Sequence, residues 1–192
     1  MRRLAGSLGV EAMSLYNHVA NKDEMCDGMV DLVVSEIDVP TGAADWKTAM
    51  RRRAISAHEV LLRHPWASAL FESRTTLSPV RLRYADSFLG VLREAGFSIK
   101  LAYNAFLTLD SYVYGFTLQE VNWAHGPEEV PSVIERLSPQ VPVNEYPRVA
   151  EVMGFVMRSR TERAGSAAAY ESEFEFGLDL ILDGFEALRN KG

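Results

Sequence analysis

Cysteine is almost missing from this chain: Cys26 is the sole one in 192 residues, so no disulfide can close within it, and such usage fits a reducing compartment. No stretch approaches the roughly 20 consecutive apolar residues of a membrane span, and the first residues lack the apolar centre of a secretion signal. A cytoplasmic location and no membrane partner are therefore expected. Nucleophile-elbow, phosphate-loop and metal-ligand spacings are absent as well. His58 and His64, six apart on one helix, would project from different faces. No enzyme, no metal site and no cofactor are expected. Period-two alternation is scarce, which excludes a sheet-based fold and points to an all-α chain. A net charge of −6 excludes a protein that grips nucleic acid over its whole surface.

What is present is an ordinary globular composition, 47% hydrophobic and 24% charged. The acidity is uneven: residues 1 to 22 carry Arg2, Arg3 and Lys22 against Glu11 alone, so a polyanion contact belongs at that end. Residues 1–8 and 12–19 read as two short helices separated by Gly9, which suits a φ > 0 helix end. A third helix, about 22–37, opens on Asn21 as N-cap and stops before Pro40. Asp45 caps a helix from Trp46 to about His64, where Pro65 ends it. Ser78 and Pro79 start another that closes at Gly96. Ser98 caps a sparsely charged helix to about Trp123, expected to be buried on most sides. Residues 125–147 hold five prolines and read as an irregular connection. Helices over about 147–163 and 168–189 complete the chain.

In the last helix Phe174, Leu178, Ile181, Phe185 and Leu188 recur at spacings of three and four, with Phe176, Leu180 and Leu182 widening the apolar surface. A helix apolar on two faces can bury one in its own domain and one against a second copy. The expected dimer interface is Phe174, Leu178, Ile181, Phe185 and Leu188, with Leu118 and Val121; the alternative is a helix central to one core.

The N-terminal pair fits a helix-turn-helix, whose second helix puts its first residues against base edges while flanking donors hold phosphates. Leu4, Leu8, Val10, Leu15 and Val19 can form the buried seam. Glu11, Ala12, Met13, Ser14 and Asn17 then point outward, and Tyr16, His18 and Lys22 can reach phosphate oxygens. Short apolar helices joined by glycine are common, so the purely structural alternative stands on spacing alone.

The stretch "MRRLAGSLGVEAMSLYNHVANKDEM" resembles the helix-turn-helix of the tetracycline-repressor (TetR) family of bacterial transcription regulators. The likeness continues through "DWKTAMRRRAISAHEVLLRHPW", "REAGFS" and "DSYVYGFTLQE". It implies a DNA-binding domain with a connecting helix over 1–40, and an effector-binding and dimerisation domain over 45–192. It also implies operator DNA, a small-molecule effector and a second copy as partners. Tyr16, His18 and Lys22 take the phosphate role, and Ala12, Met13, Ser14 and Asn17 face the bases. Family members carry one more helix ahead of the segment starting at Met1. Without it the apolar seam is expected to lack a partner surface. Either upstream sequence is missing or DNA affinity is reduced, and operator binding with and without an upstream extension separates the two.

The effector cavity of the family lies between the middle helices. The pocket expected here is lined by His58, Trp66, Phe71, Phe88, Tyr103, Phe106, Leu107, Asp110 and Tyr114. Asp110 stands out because a carboxylate inside the least charged helix must be paired, protonated or facing a cavity. A satisfied buried Asp110 is the structural alternative. The lining suits a largely apolar effector with one or two polar groups. Phe71 stands where the resemblance implies the histidine of the tetracycline-bound metal, and "ESRTT" departs from the loop after it, so tetracycline is not the expected effector. The function expected is a ligand-responsive repressor; the alternative is a small-molecule-binding dimer without DNA function.

Overall fold

The longer helices over 22–35, 46–63, 79–94, 99–122 and 173–189 each start where a side chain takes up backbone donors that have no partner inside the helix. The computed structural model describes residues 1–39, 45–74, 77–122, 135–164 and 172–191, and every regular element among them is helical. Helix α1 (Arg2–Leu8) ends at Gly9, whose φ of 69° lies in the left-handed region where a Cβ is unfavourable; its amide bonds back to α1 carbonyls. The expected helix over 12–19 is shorter: α2 (Ala12–Leu15) is one turn, and Tyr16, Asn17 and His18 follow it in tight turns whose amides reach back three residues. Helix α3 (Lys22–Ser35) opens on a reciprocal cap. Asn21 Oδ1 accepts from the Glu24 amide at 2.8 Å, and the Glu24 carboxylate accepts from the Ala20 amide.

Asp45, Ser78 and Ser98 accept from the first amides of α4 (Trp46–Arg63), α6 (Pro79–Glu94) and α7 (Ile99–Asn122), without a return bond. Between them lies α5 (Pro65–Ser73), which the sequence reading missed. Pro65 ends α4, as expected, but a proline that cannot continue one helix is well suited to the first position of the next. Beyond a 3-10 turn at Ser138–Gln140 come α8 (Pro147–Ala164) and α9 (Glu173–Arg189), the latter capped by Ser172. The start expected at 168 lies outside the described residues.

Helix α7 packs against α4, α5, α6 and α9, and α9 also against α4. The buried faces of α4 and α7 are rich in alanine (Ala54, Ala57, Ala102, Ala105), which lets the two backbones approach closely. Met50, Leu61, Phe88, Leu92, Leu109, Leu178 and Leu182 fill the surrounding core. Each fully buried side chain of this size contributes roughly 1.5–3 kcal/mol. Ion pairs fasten the rim. Arg51 meets Glu175 at 2.9 Å and Asp179 at 2.8 Å, and Lys47 meets Glu186 at 2.8 Å and Asp183 at 2.5 Å. Hydrogen bonds from Asp183 and then Glu186 hold the Lys47 ammonium above its ordinary pKa.

Two expectations change. The stripe assigned to a partner chain faces inward: Phe174, Leu178 and Phe185 are buried in the chain's own core and Ile181 is partly buried against it, because α4 and α7 cover that side. Of that set Leu188 and Leu118 are exposed and Val121 is half-buried. The apolar residues of α9 that face outward are Phe176, Leu180 and Leu188, 58%, 59% and 53% exposed. Their spacing of four and eight makes one row with Gly184, where an added Cβ would meet no atom within 4 Å. Nor is α7 buried on most sides, since Ile99, Tyr103 and Leu107 form an exposed row along it.

Candidate functional site

Two groups of side chains bear on function, one at the N-terminal end and one among α4, α6 and α7. At the first, the turn at Gly9 sets α2 against α1, with the Val10 amide donating to the Ala5 carbonyl at 3.0 Å. Ala5 is buried, Leu15 and Val19 are half-buried, and Leu4, Leu8 and Val10 are exposed, so only part of the expected seam is covered. Met13 is 71% exposed, and Ser14, Tyr16, Asn17, His18 and Lys22 are exposed as well. The side chain of Ala12 lies outside the described residues. Lys22 is the first residue of α3, beside the helix amides. This corner offers hydrogen-bonding and cationic groups on a short helix and the turn after it, an arrangement that can meet a groove and its phosphates.

Helix α3 is tied to the rest of the molecule by a row of carboxylates. Arg74, just past α5, binds the Asp23 carboxylate at 2.8 Å, the Asp23 carbonyl at 2.9 Å and Asp27 at 3.2 Å. Arg81 in α6 binds Asp31 at 3.1 Å and lies 3.6 Å from Asp27, and the Ser78 hydroxyl donates to Asp31 at 2.8 Å. Hydrogen bonding to Asp23, ahead of the other causes, raises the Arg74 pKa. At the far end of α3, Glu36 accepts from Arg63 at 3.1 Å and meets His64 at 2.9 Å, and the Arg63 bond is the first cause holding its carboxyl below the usual range.

The second group is centred on Asp110. Its carboxylate accepts from Nη2 of Arg53 at 2.5 Å, and Arg53 is 1% exposed. The guanidinium stands 4.7 Å from the Tyr84 ring centre and 4.9 Å from that of Phe88. Phe88 meets Phe106 edge-on at 5.1 Å, and Phe71 stacks with Tyr114 at 5.5 Å. Five of the nine expected effector residues thus sit in two aromatic pairs or on the Arg53 pair. Tyr103 and Leu107 are exposed on α7 beside them. Trp66 is not brought in: it is exposed and lies edge-on to His64 at 5.8 Å. His58 is already engaged, 2.8 Å from Glu120 and stacked on Phe174 with ring centres 4.0 Å apart.

Arg53 and Glu120 escaped the sequence reading, and Tyr84, one of the mid-chain aromatics, was not placed in the expected lining. The signal for Arg53 was there, because it falls on the α4 face that carries Met50, Ala54, Ala57 and Leu61. A cleft of about 660 Å³ lies elsewhere, at the end of α6 and the start of α7, lined by residues including Arg93, Phe97, Ser98, Lys100 and Arg189 and by none of the nine. Behind the Asp110 group the Tyr112 hydroxyl donates to the Phe174 carbonyl at 2.8 Å, and burial raises its pKa. Gly177 leaves the room that this ring occupies. Among the described residues no group of His, Cys, Asp and Glu is placed to hold a metal, and no helix is long and apolar enough to cross a membrane.

The model of the tetracycline repressor-like C-terminal domain family matches residues 39–189. The HTH-type transcriptional repressor DrrR1 of Streptomyces coeruleorubidus is 30% identical over 191 residues, which span 98% of this chain and 70% of that one. The class A tetracycline repressor from transposon 1721 of Escherichia coli is 29% identical, over 98% of this chain and 81% of its own. Among solved structures, a possible TetR family regulator from Streptomyces coelicolor A3(2) superposes with a TM-score of 0.74 at 30% identity, covering 97% and 88% of the two chains. ActR of Streptomyces coelicolor in complex with actinorhodin shares the fold, with a TM-score of 0.74 at 24% identity over 98% and 87%.

Proposed function

The chain belongs to the tetracycline-repressor family of transcriptional regulators, and on that premise we propose that it is a ligand-responsive repressor that binds operator DNA as a homodimer. The family match over 39–189 carries the reading, joined to an exposed short helix whose outward residues can hydrogen-bond. Met13 offers apolar contact to a thymine methyl, Ser14 and Asn17 offer base-edge hydrogen bonds, and Tyr16, His18 and Lys22 offer phosphate contacts. A two-fold dimer would hold two such helices about 34–36 Å apart, one turn of duplex.

The row Phe176, Leu180, Gly184 and Leu188 on α9 supplies a dimer face, with exposed Val149, Val152 and Phe155 on α8 as its second half. A small row flanked by large apolar side chains lets paired helices pack closely. The effector site is the group around Arg53, Asp110, Phe88, Phe106, Phe71 and Tyr114. The ActR–actinorhodin complex is a case of this fold holding an organic ligand. Effector binding releases DNA only if the effector prefers a dimer with the wrong helix spacing, and the row of carboxylates on α3 links the two regions.

The test is selection of duplexes from a random pool with the purified chain. A palindrome should be enriched, with half-sites about 10 base pairs apart centre to centre and affinity that falls steeply with salt. A chain that enriches no palindrome, yet binds small molecules as a dimer, would sink the repressor reading.

A further inference from the structure

We propose that Arg53 is the polar anchor of the effector site, and that the effector is an aromatic molecule bearing acceptor oxygens, and not a cation. The assignment rests on the effector reading above and names the ligand's chemistry. It starts from unpaired donors. Arg53 is 1% exposed, yet only its Nη2 has a hydrogen bond, to Asp110; Nε and Nη1 are buried without a partner. The Tyr84 hydroxyl, on the ring against the same guanidinium, is also buried without one. Native interiors leave few such groups, and those that persist commonly serve water, an ion or a ligand. The neighbouring arginines are accounted for, Arg51 on Glu175 and Asp179 and Arg52 on Asp38, so Arg53 is the member of the run turned inward.

The surroundings select among ligands. Asp110 already balances the Arg53 charge, so what remains unsatisfied is a set of N–H and O–H groups, whose complement is acceptor oxygen. A cationic ligand would have to compete with Arg53 for Asp110 and would leave the free donors unmet. The Tyr84 and Phe88 rings flank the guanidinium, with Phe106 edge-on to Phe88, so the free donors have aromatic surroundings. The exposed row of Tyr103 and Leu107 lies on the same helix as Asp110 and Phe106 and offers apolar surface to the rest of such a molecule.

The full chain is titrated with naphthalene carboxylate and with the matching naphthylmethylammonium, following melting temperature and ligand fluorescence. The carboxylate should bind at least about tenfold tighter, the loss expected when a charge-assisted hydrogen bond goes unmade. Arg53→Lys keeps a charge on Asp110 but lacks the planar fork, and should cost the carboxylate roughly tenfold without changing ammonium binding. Tyr84→Phe removes a single hydroxyl, leaves the core volume intact and should cost the carboxylate a few-fold. Equal binding of the two probes, preference for the ammonium, no shift with the carboxylate, or carboxylate affinity unchanged in both variants would each overturn the assignment. Equal binding is also the outcome if water alone serves the donors. The duplex selection reports independently: its failure removes the repressor and leaves the Arg53 result standing, and the reverse holds as well.

Discussion

Removing either partner of the Arg53–Asp110 pair should cost far more than removing both. Arg53 is 1% exposed and the Asp110 side chain 16%, so the two charges lose their counter-ion in unequal surroundings. Asp110→Leu strands a guanidinium that water cannot reach, and breaking a buried pair in this way costs about 3–5 kcal/mol. Arg53→Met leaves a carboxylate that reaches some solvent, fills the space between the Tyr84 and Phe88 rings with a side chain of similar length, and should cost about 1–3 kcal/mol. The double variant replaces the pair by apolar groups and should lie within about 1 kcal/mol of the parent. For a chain of this length 1 kcal/mol moves the melting temperature by roughly 2–4 °C. Asp110→Leu should therefore melt about 6–20 °C lower, and the double variant within a few degrees of the parent. All four proteins are melted by calorimetry at one concentration, since the midpoint of a dimer would depend on it. Losses that simply add would refute a coupled pair, and an Arg53→Met variant less stable than Asp110→Leu would refute the order argued from unequal burial.

With the dimer face proposed on α9, Leu180→Asp would put two carboxylates face to face across the two-fold axis and should leave the protein monomeric in sedimentation; a dimer that survives it would move the interface off α9. Gly9→Val forces a β-branched residue to a φ of 69° and should lower stability by about 1–2 kcal/mol and weaken operator binding, whereas Gly9→Asn should be tolerated in both assays. Lys22→Ala should weaken binding to all duplexes alike and reduce the salt slope by about 1, while Ser14→Ala should change which sequences are enriched. Burial raises the Tyr112 pKa in the folded chain, so its proton is held more tightly there than in the unfolded chain. That contribution is fully present below pH 10, the ordinary value, and is lost as pH rises through the folded one. Tyr112→Phe should flatten the alkaline limb of a stability–pH curve and cost about 1 kcal/mol near neutrality through the lost bond to the Phe174 carbonyl.

Helix starts were legible because capping is local: Asn21, Asp45, Ser78 and Ser98 each precede a helix and each accept from its first amides. Pro65 was read as a stop and is also a start, because the same ring chemistry serves both. The side that a helix buries was harder to see. Apolar residues surround α9, so periodicity admitted two stripes, and only the neighbours α4 and α7 decide that Phe174, Leu178 and Phe185 go inward. At the Asp110 site the sequence showed an anomalous carboxylate but not its partner. The arginines of "RRR" at 51–53 are 100° apart on the helix and go to three different places: Arg51 to α9, Arg52 to Asp38 and Arg53 to the core. Pairing an inward arginine with an inward aspartate from another helix needs the tertiary arrangement. His58 shows the converse, a candidate ligand group taken up by Glu120 at a separation of 62 residues.

Asp23, Asp27 and Asp31 stand one turn apart along α3, and the arginines that grip them come from the end of α5 and from α6. Such a rail has detents. A small axial slip of α3 loosens every grip at once, while a slip of about 6 Å, four residues of rise, offers each cation the next carboxylate in line. Motion along that axis would therefore be stepped by the sequence spacing, four residues at a time.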